Sequence, residues 1–161
     1  MSMSELSHVD ETGAARMVDV SGKEVTARTA VASGRVRTTS EVLRLLSSNG
    51  LPKGDALATA RIAGVLGAKR TPELIPLCHQ IALSKVDLDF QLDTDSVRIE
   101  ATARTSDRTG VEMEALTAVA VAGLTLHDMI KAVDPAASLD EVRLESKAGG
   151  KTGTWRREEH R

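Results

Sequence analysis

Carboxylates and an amine placed along one apolar run are the residues best suited to proton chemistry. Between Val111 and Val133, Glu112 and Glu114 stand at the start, with Asp128 and Lys131 near the end. Met113, Leu116, Ala120, Leu124 and Ile130 recur at helical spacings, so the run reads as one long helix. Residues three apart share a helix face, so Asp128 and Lys131 put an acid beside a base. The same pair reads equally as a surface ion pair worth under ~1 kcal/mol. Glu114 and Asp128 are separated by about 21 Å at a rise of ~1.5 Å per residue, too far to touch one small substrate. If both ends act, other segments or a second subunit must complete the site.

The remaining chemistry-bearing residues sit in loops. Leu77-Cys78-His79 follows Ile75-Pro76, where a histidine can form part of a pocket wall or a satisfied structural contact. Cys78 reads as a small apolar residue, since no partner supports nucleophilic chemistry. Lys53-Gly54-Asp55 precedes a second apolar run; Asp55 can cap it and Lys53 can lean toward a ligand phosphate. Lys69-Arg70 ends that run, where two cations suit the helix dipole. Gly149-Gly150-Lys151-Thr152 imitates the end of a phosphate-binding P-loop, but Glu145 stands where a glycine is needed and fewer than ten residues follow. What survives is a glycine-rich loop between Lys147 and Lys151, able to offer backbone N–H groups and cations to an anion. A solvated C-terminal turn is the plainer alternative.

Composition bounds what these residues serve. A chain of 161 residues, 41% hydrophobic and 27% charged, is one domain's worth of foldable sequence. One Phe, one Trp and no Tyr leave no platform for stacking nucleobases, and a net charge of −2 gives no field toward nucleic acid or a membrane. One cysteine and four scattered histidines supply neither an internal disulfide nor metal-ligand spacing. A polar N-terminus, and no run read as apolar enough to span a bilayer, lead to the expectation of a cytoplasmic protein.

The elements that must position these groups follow from periodicity. Val25 to Arg37 alternates as a strand; Thr38 and Glu41 have capping-box spacing before a short helix that Asn49-Gly50 stops. Asp55 to Thr71 is a second helix, and Thr71-Pro72-Glu73 begins another turn. Val86 to Leu92 and Val97 to Arg104 alternate around Asp93-Thr94-Asp95-Ser96 as a hairpin. After the long helix, Val142 to Glu145 is a last short strand. The order predicts an α+β fold, a ferredoxin-like split βαβ with the Asp55 to Thr71 helix inserted and an antiparallel sheet packed against helices. Residues 17–151 are expected to form the single catalytic domain, with 1–16 and 152–161 as mobile tails.

The strings MVDVSGKEVTAR (17–28), KGDALATARIAG (53–64), KRTPELIPLCH (69–79), TGVEMEALTAVAVAGLTLHDMIKAVD (109–134) and SKAGGKTG (146–153) together resemble the molybdenum cofactor biosynthesis protein C family. One departure is Gln80 after His79, where the family pattern has proline. The resemblance implies a cyclic pyranopterin monophosphate synthase activity: a pyrophosphate-releasing rearrangement of 3′,8-cyclo-7,8-dihydroguanosine triphosphate, with no redox cofactor; no cofactor and no tightly held protein metal site are expected, and a divalent ion accompanying the triphosphate stays open. It further implies Asp128 and Lys131 as the catalytic pair with Lys53 as a third candidate. Leu77, Cys78, His79, Glu112, Met113 and Glu114 match its substrate-binding segments, and Lys23, Arg28, Lys147 and Lys151 its basic positions. A hexamer, as a trimer of dimers with sites at subunit interfaces, is implied as well. A nucleotide-binding regulatory domain without turnover, and an interaction scaffold, are the competing classes; the clustered cations weigh against the scaffold.

Overall fold

Small apolar residues alternating with polar ones make β1 (Thr26–Arg37), the central strand of the sheet. In this computed structural model, which describes residues 8–51 and 55–159, Ala30, Ala32 and Val36 are buried toward the helices. On one side β1 pairs with β3 (Ser96–Asp107), which forms a hairpin with β2 (Leu83–Leu92). On the other side it pairs with β4 (Ser138–Ala148), and Trp155–Arg156 adds a two-residue β5 that periodicity did not reveal. The order β2-β3-β1-β4-β5, antiparallel throughout, is that of a ferredoxin-like α+β fold. β4 is longer than its alternation suggested because two register shifts break its period of two. Glu141 takes a φ of 55° beside one of them.

The helices lie on one face. The first, α1 (Ser40–Ser48), is capped by Thr39, whose hydroxyl accepts from the Val42 N–H, and not by Thr38 as the box spacing suggested. Thr38 is held elsewhere: its N–H donates to the Asp95 carbonyl and its hydroxyl to Asp134 Oδ2 at 2.8 Å. Asn49 ends α1 at a φ of 54°, as expected of Asn-Gly. Asp55 caps α2 (Ala56–Lys69) through the Ala58 N–H at 3.0 Å. α2 buries Ala56, Ala60, Gly64, Gly67 and Ala68, and packs against α4 (Glu112–Ile130) and β2. A Cβ on Gly64 would lie 2.5 Å from Leu88 Cδ2 and 3.0 Å from the Ala118 carbonyl oxygen, so glycine permits this close approach. Of the two longer helices between β1 and β2, α2 therefore belongs to the helical layer and α1 is the addition. The sequence assigned them the other way because α1's apolar stripe is the stronger signal and α2 packs through small residues.

α4 crosses the sheet with Ala115, Ala118, Val119, Ala122 and Leu126 fully buried, over Ile99, Ala101 and Ala103 of β3. By length and composition alone α4 would suffice to cross a bilayer, contrary to the sequence expectation. Here its apolar side is the core of the fold. That core holds almost no aromatic mass, and close backbone approach does the packing instead.

Candidate active site

The segment after α2 turns sharply at α3 (Thr71–Leu74), where the buried Thr71 hydroxyl donates to the Ala68 carbonyl at 2.8 Å. The chain then returns as Leu77-Cys78-His79 beside the first turn of α4. Between them lies a cavity of about 700 Å³ lined by Ile75, Leu77, Cys78, His79, Glu112, Met113 and Glu114, closed further by Pro76, Thr109 and Gly110. His8 and Ala15 also line it, although residues 1–16 carried no site expectation from sequence. Periodicity has no means of placing such a segment against a pocket formed a hundred residues later.

Glu114 is the unusual group. Only 2% of the residue is exposed, and burial pushes its carboxyl up to about 7. Oε1 accepts from the Cys78 thiol at 3.7 Å, while Oε2 has no hydrogen-bond partner among the described residues. Burial, and then the Glu114 charge, push the Cys78 thiol up to about 11. Cys78 is thus a protonated donor in the pocket wall; it is half-buried, not a core residue, and its lack of thiolate excludes it as a nucleophile near neutral pH. His79 is fixed by Nε2, which donates to the Val18 carbonyl.

A cationic shelf adjoins this cavity. Arg28 on β1 donates from Nε to the Asp107 carbonyl at 3.1 Å and from Nη2 to the Arg108 carbonyl at 3.4 Å, anchoring the link from β3 into α4. Lys23, Thr26, Arg28, Gly150 and Lys151 line a second cavity of about 400 Å³. Lys147, on β4, reaches Glu112 Oε1 at 3.5 Å at the edge of the first cavity. The loop depends on Gly149: at a φ of 97°, an added Cβ would sit 2.1 Å from the Ala27 carbonyl oxygen. Gly149→Ala is therefore expected to displace residues 147–151, with about 1–3 kcal/mol lost from folding. A denaturant melt measures the loss, and an unchanged midpoint would mean that the loop takes the added Cβ without strain.

Asp128 and Lys131 lie elsewhere. Lys131 Nζ is 2.9 Å from Asp128 Oδ1, and both side chains are about half exposed, 53% and 54%. They occupy the last turn and C-cap of α4, roughly 21 Å and 26 Å of helix from Glu114 at ~1.5 Å per residue. One chain thus gathers the expected binding residues and the expected basic residues but leaves the acid-base pair apart. Lys53 lies outside the described residues. Among the described residues no group of three His, Cys, Asp or Glu could hold a metal ion.

The first cavity offers apolar walls and one buried carboxyl, and the second offers cations and loop amides beside Glu24. The MoaC family profile matches residues 17–150. The chain is 66% identical over 152 residues to a protein of Streptomyces coelicolor named cyclic pyranopterin monophosphate synthase, covering 94% of this chain and 89% of that one. It is 63% identical over 153 residues to a Mycobacterium bovis protein named cyclic pyranopterin monophosphate synthase 2, covering 95% and 92%. A Corynebacterium glutamicum protein with the first of these names is 60% identical over 153 residues, covering 95% and 98%. A match over residues 17–150, which include Glu114 and the Asp128–Lys131 pair, together with relatives at this identity, decides the relationship: the chain belongs to the MoaC family.

Proposed function

We propose that the protein is a cyclic pyranopterin monophosphate synthase of molybdenum cofactor biosynthesis, a lyase that rearranges the cyclised guanosine triphosphate and releases pyrophosphate. The observation that carries this reading is the buried Glu114 carboxyl in the first cavity, with Arg28 of the second cavity anchored to the Arg108 carbonyl next to that first cavity's Thr109. The guanine-derived ring occupies the first cavity, where the buried Glu114 carboxyl meets its amide and amino edge. Arg28, Lys147, Lys151 and Lys23 neutralise the triphosphate, and the same cations stabilise the charge that grows on departing pyrophosphate. Ring opening and reclosure need protons moved on nitrogen and oxygen, the work assigned to Asp128 and Lys131 with Lys53 as a further candidate.

For that work the pair must come from another copy. Along α4, Met113, Leu116, Ala120, Leu124, Asp128 and Lys131 follow one another at intervals of three or four and share a face. Leu124 on this face is 64% exposed. Packing two α4 helices antiparallel, about a two-fold axis level with residue 122, sets Met113 opposite the second copy's Lys131 and Leu116 opposite its Asp128. The stripe buries its own apolar residues, and each pocket gains an acid and an amine. Three such dimers make the hexamer that the family resemblance implies.

Incubating purified protein with the cyclised guanosine triphosphate tests the reading directly. Equal amounts of pyrophosphate and cyclic pyranopterin monophosphate are expected. Saturable binding without either product would instead describe a nucleotide-binding regulator.

A further inference from the structure

The segment preceding β1 is a built part of the pocket. Asp10 Oδ1 accepts from the Thr12 N–H at 2.8 Å, the Thr12 hydroxyl at 2.6 Å and the Ala14 N–H at 3.0 Å. Gly13, at a φ of 85°, returns its N–H to the Asp10 carbonyl. Asp10 and Ala14 share a further backbone bond, Arg16 donates its N–H to the His8 carbonyl at 2.8 Å, and Val9 pairs antiparallel with Ala15. Residues 8–16 thus close as a small hairpin. Just beyond it, the His79 bond to the Val18 carbonyl ties the chain to the cavity wall.

This hairpin brings His8 into the same cavity as Glu114. His8 Nδ1 lies 3.3 Å from the Arg16 carbonyl oxygen. A carbonyl has no hydrogen to give, so Nδ1 carries the proton and Nε2 of the neutral ring keeps its lone pair. The same reasoning gives His79 the opposite tautomer, with its proton on Nε2 committed to Val18. Most of the surrounding wall is apolar, from Ala15, Ile75, Pro76, Leu77 and Met113. A ring N–H entering such a wall must find an acceptor or lose its bond to water.

We propose that His8 is a substrate-contacting residue, its Nε2 accepting a hydrogen bond from an N–H of the bound heterocycle. The assignment rests on the reading that the ring occupies this cavity, and extends the site into residues that precede the family match at 17–150. It makes His8 a determinant of base recognition: a heterocycle presenting an acceptor at that edge is refused, because two lone pairs would face each other.

Two conservative variants separate contact from scaffolding. His8→Asn places an amide nitrogen where Nδ1 stood, keeping the bond to the Arg16 carbonyl and leaving nothing at Nε2. His8→Gln reaches the Nε2 position with an amide oxygen that accepts, and gives up Nδ1. His8→Asn is expected to raise KM for the cyclised guanosine triphosphate about 10- to 100-fold, with a smaller effect on kcat. His8→Gln should recover most of that loss, and calorimetric affinity for guanosine triphosphate, used as a probe, should follow the same order. The assignment is overturned if His8→Asn behaves as wild type, or if His8→Gln is no better than His8→Asn. Wild-type protein that neither binds nor converts the nucleotide would overturn the functional reading itself, and this assignment with it.

Discussion

Asp128→Ala is expected to lower pyrophosphate release about 10²- to 10⁴-fold, the usual contribution of a positioned acid or base, while affinity for the cyclised nucleotide stays close to wild type. In the proposed dimer the nucleotide is held by the Glu114 cavity and by Lys23, Arg28 and Lys151, so removing the second copy's Asp128 carboxylate leaves those contacts in place. Lys131→Ala should change the pH–rate profile as well as the rate, because its ammonium is 2.9 Å from that carboxylate. An unaltered profile would exclude Lys131 from proton transfer. Co-expression sharpens the test. Asp128→Ala and Glu114→Ala subunits should each be inactive alone, yet hybrids of the two contain one site with both groups intact. Random mixing then restores about one quarter of wild-type activity if every site takes Glu114 from one copy and Asp128 from another. No recovery in hybrids shown to form would mean that the pair acts within its own chain, or not at all.

The second large effect is a pH dependence of folding carried by Glu114. Its carboxyl titrates near 4.5 in an unfolded chain and is pushed up to about 7 here, chiefly by burial. Between those values the folded state holds a proton that the unfolded state has released. Stability contributed by the protonated group is therefore complete below 4.5 and is lost as pH rises through about 7. The difference corresponds to roughly 3 kcal/mol. Glu114→Gln, which keeps an oxygen for the Cys78 thiol, removes the ionisation and should flatten this part of the profile. Urea melts at pH 5 and pH 8.5 measure it, with wild type losing more of its midpoint than the variant. Cys78 titrates at about 11 and does not enter that window. Parallel losses in the two proteins would mean that the carboxyl ionises freely in the folded state. The same burial favours function: near neutrality a poised carboxyl can accept from, or donate to, a heterocycle edge at little cost.

Local signals were enough for most elements. Asn49 at the end of α1, Asp55 before α2 and the alternation on either side of residues 93–96 each depend on a few neighbouring side chains, and each lies where its chemistry indicated. Errors arose where a distant partner competed. Thr38 had the spacing of a cap but is bonded to Asp134, nearly a hundred residues on, so Thr39 caps instead. Bulges in β4 answer to its register with β1, which periodicity within β4 does not encode. For the site, residue types in the strings around Cys78, Glu114 and Lys147 were legible. The burial that makes Glu114 unusual was not, nor was the hairpin that carries His8 into the cavity.

By itself the sequence determined most element types, the family, and the separation of Glu114 from Asp128 along one helix, because helical rise and side-chain periodicity are properties of the local chain. Tertiary structure alone decided which cations share a shelf, which carboxyl loses its water, and which cavity receives His8. Those outcomes follow from long-range strand pairing and from desolvation, and neither exists until distant segments meet.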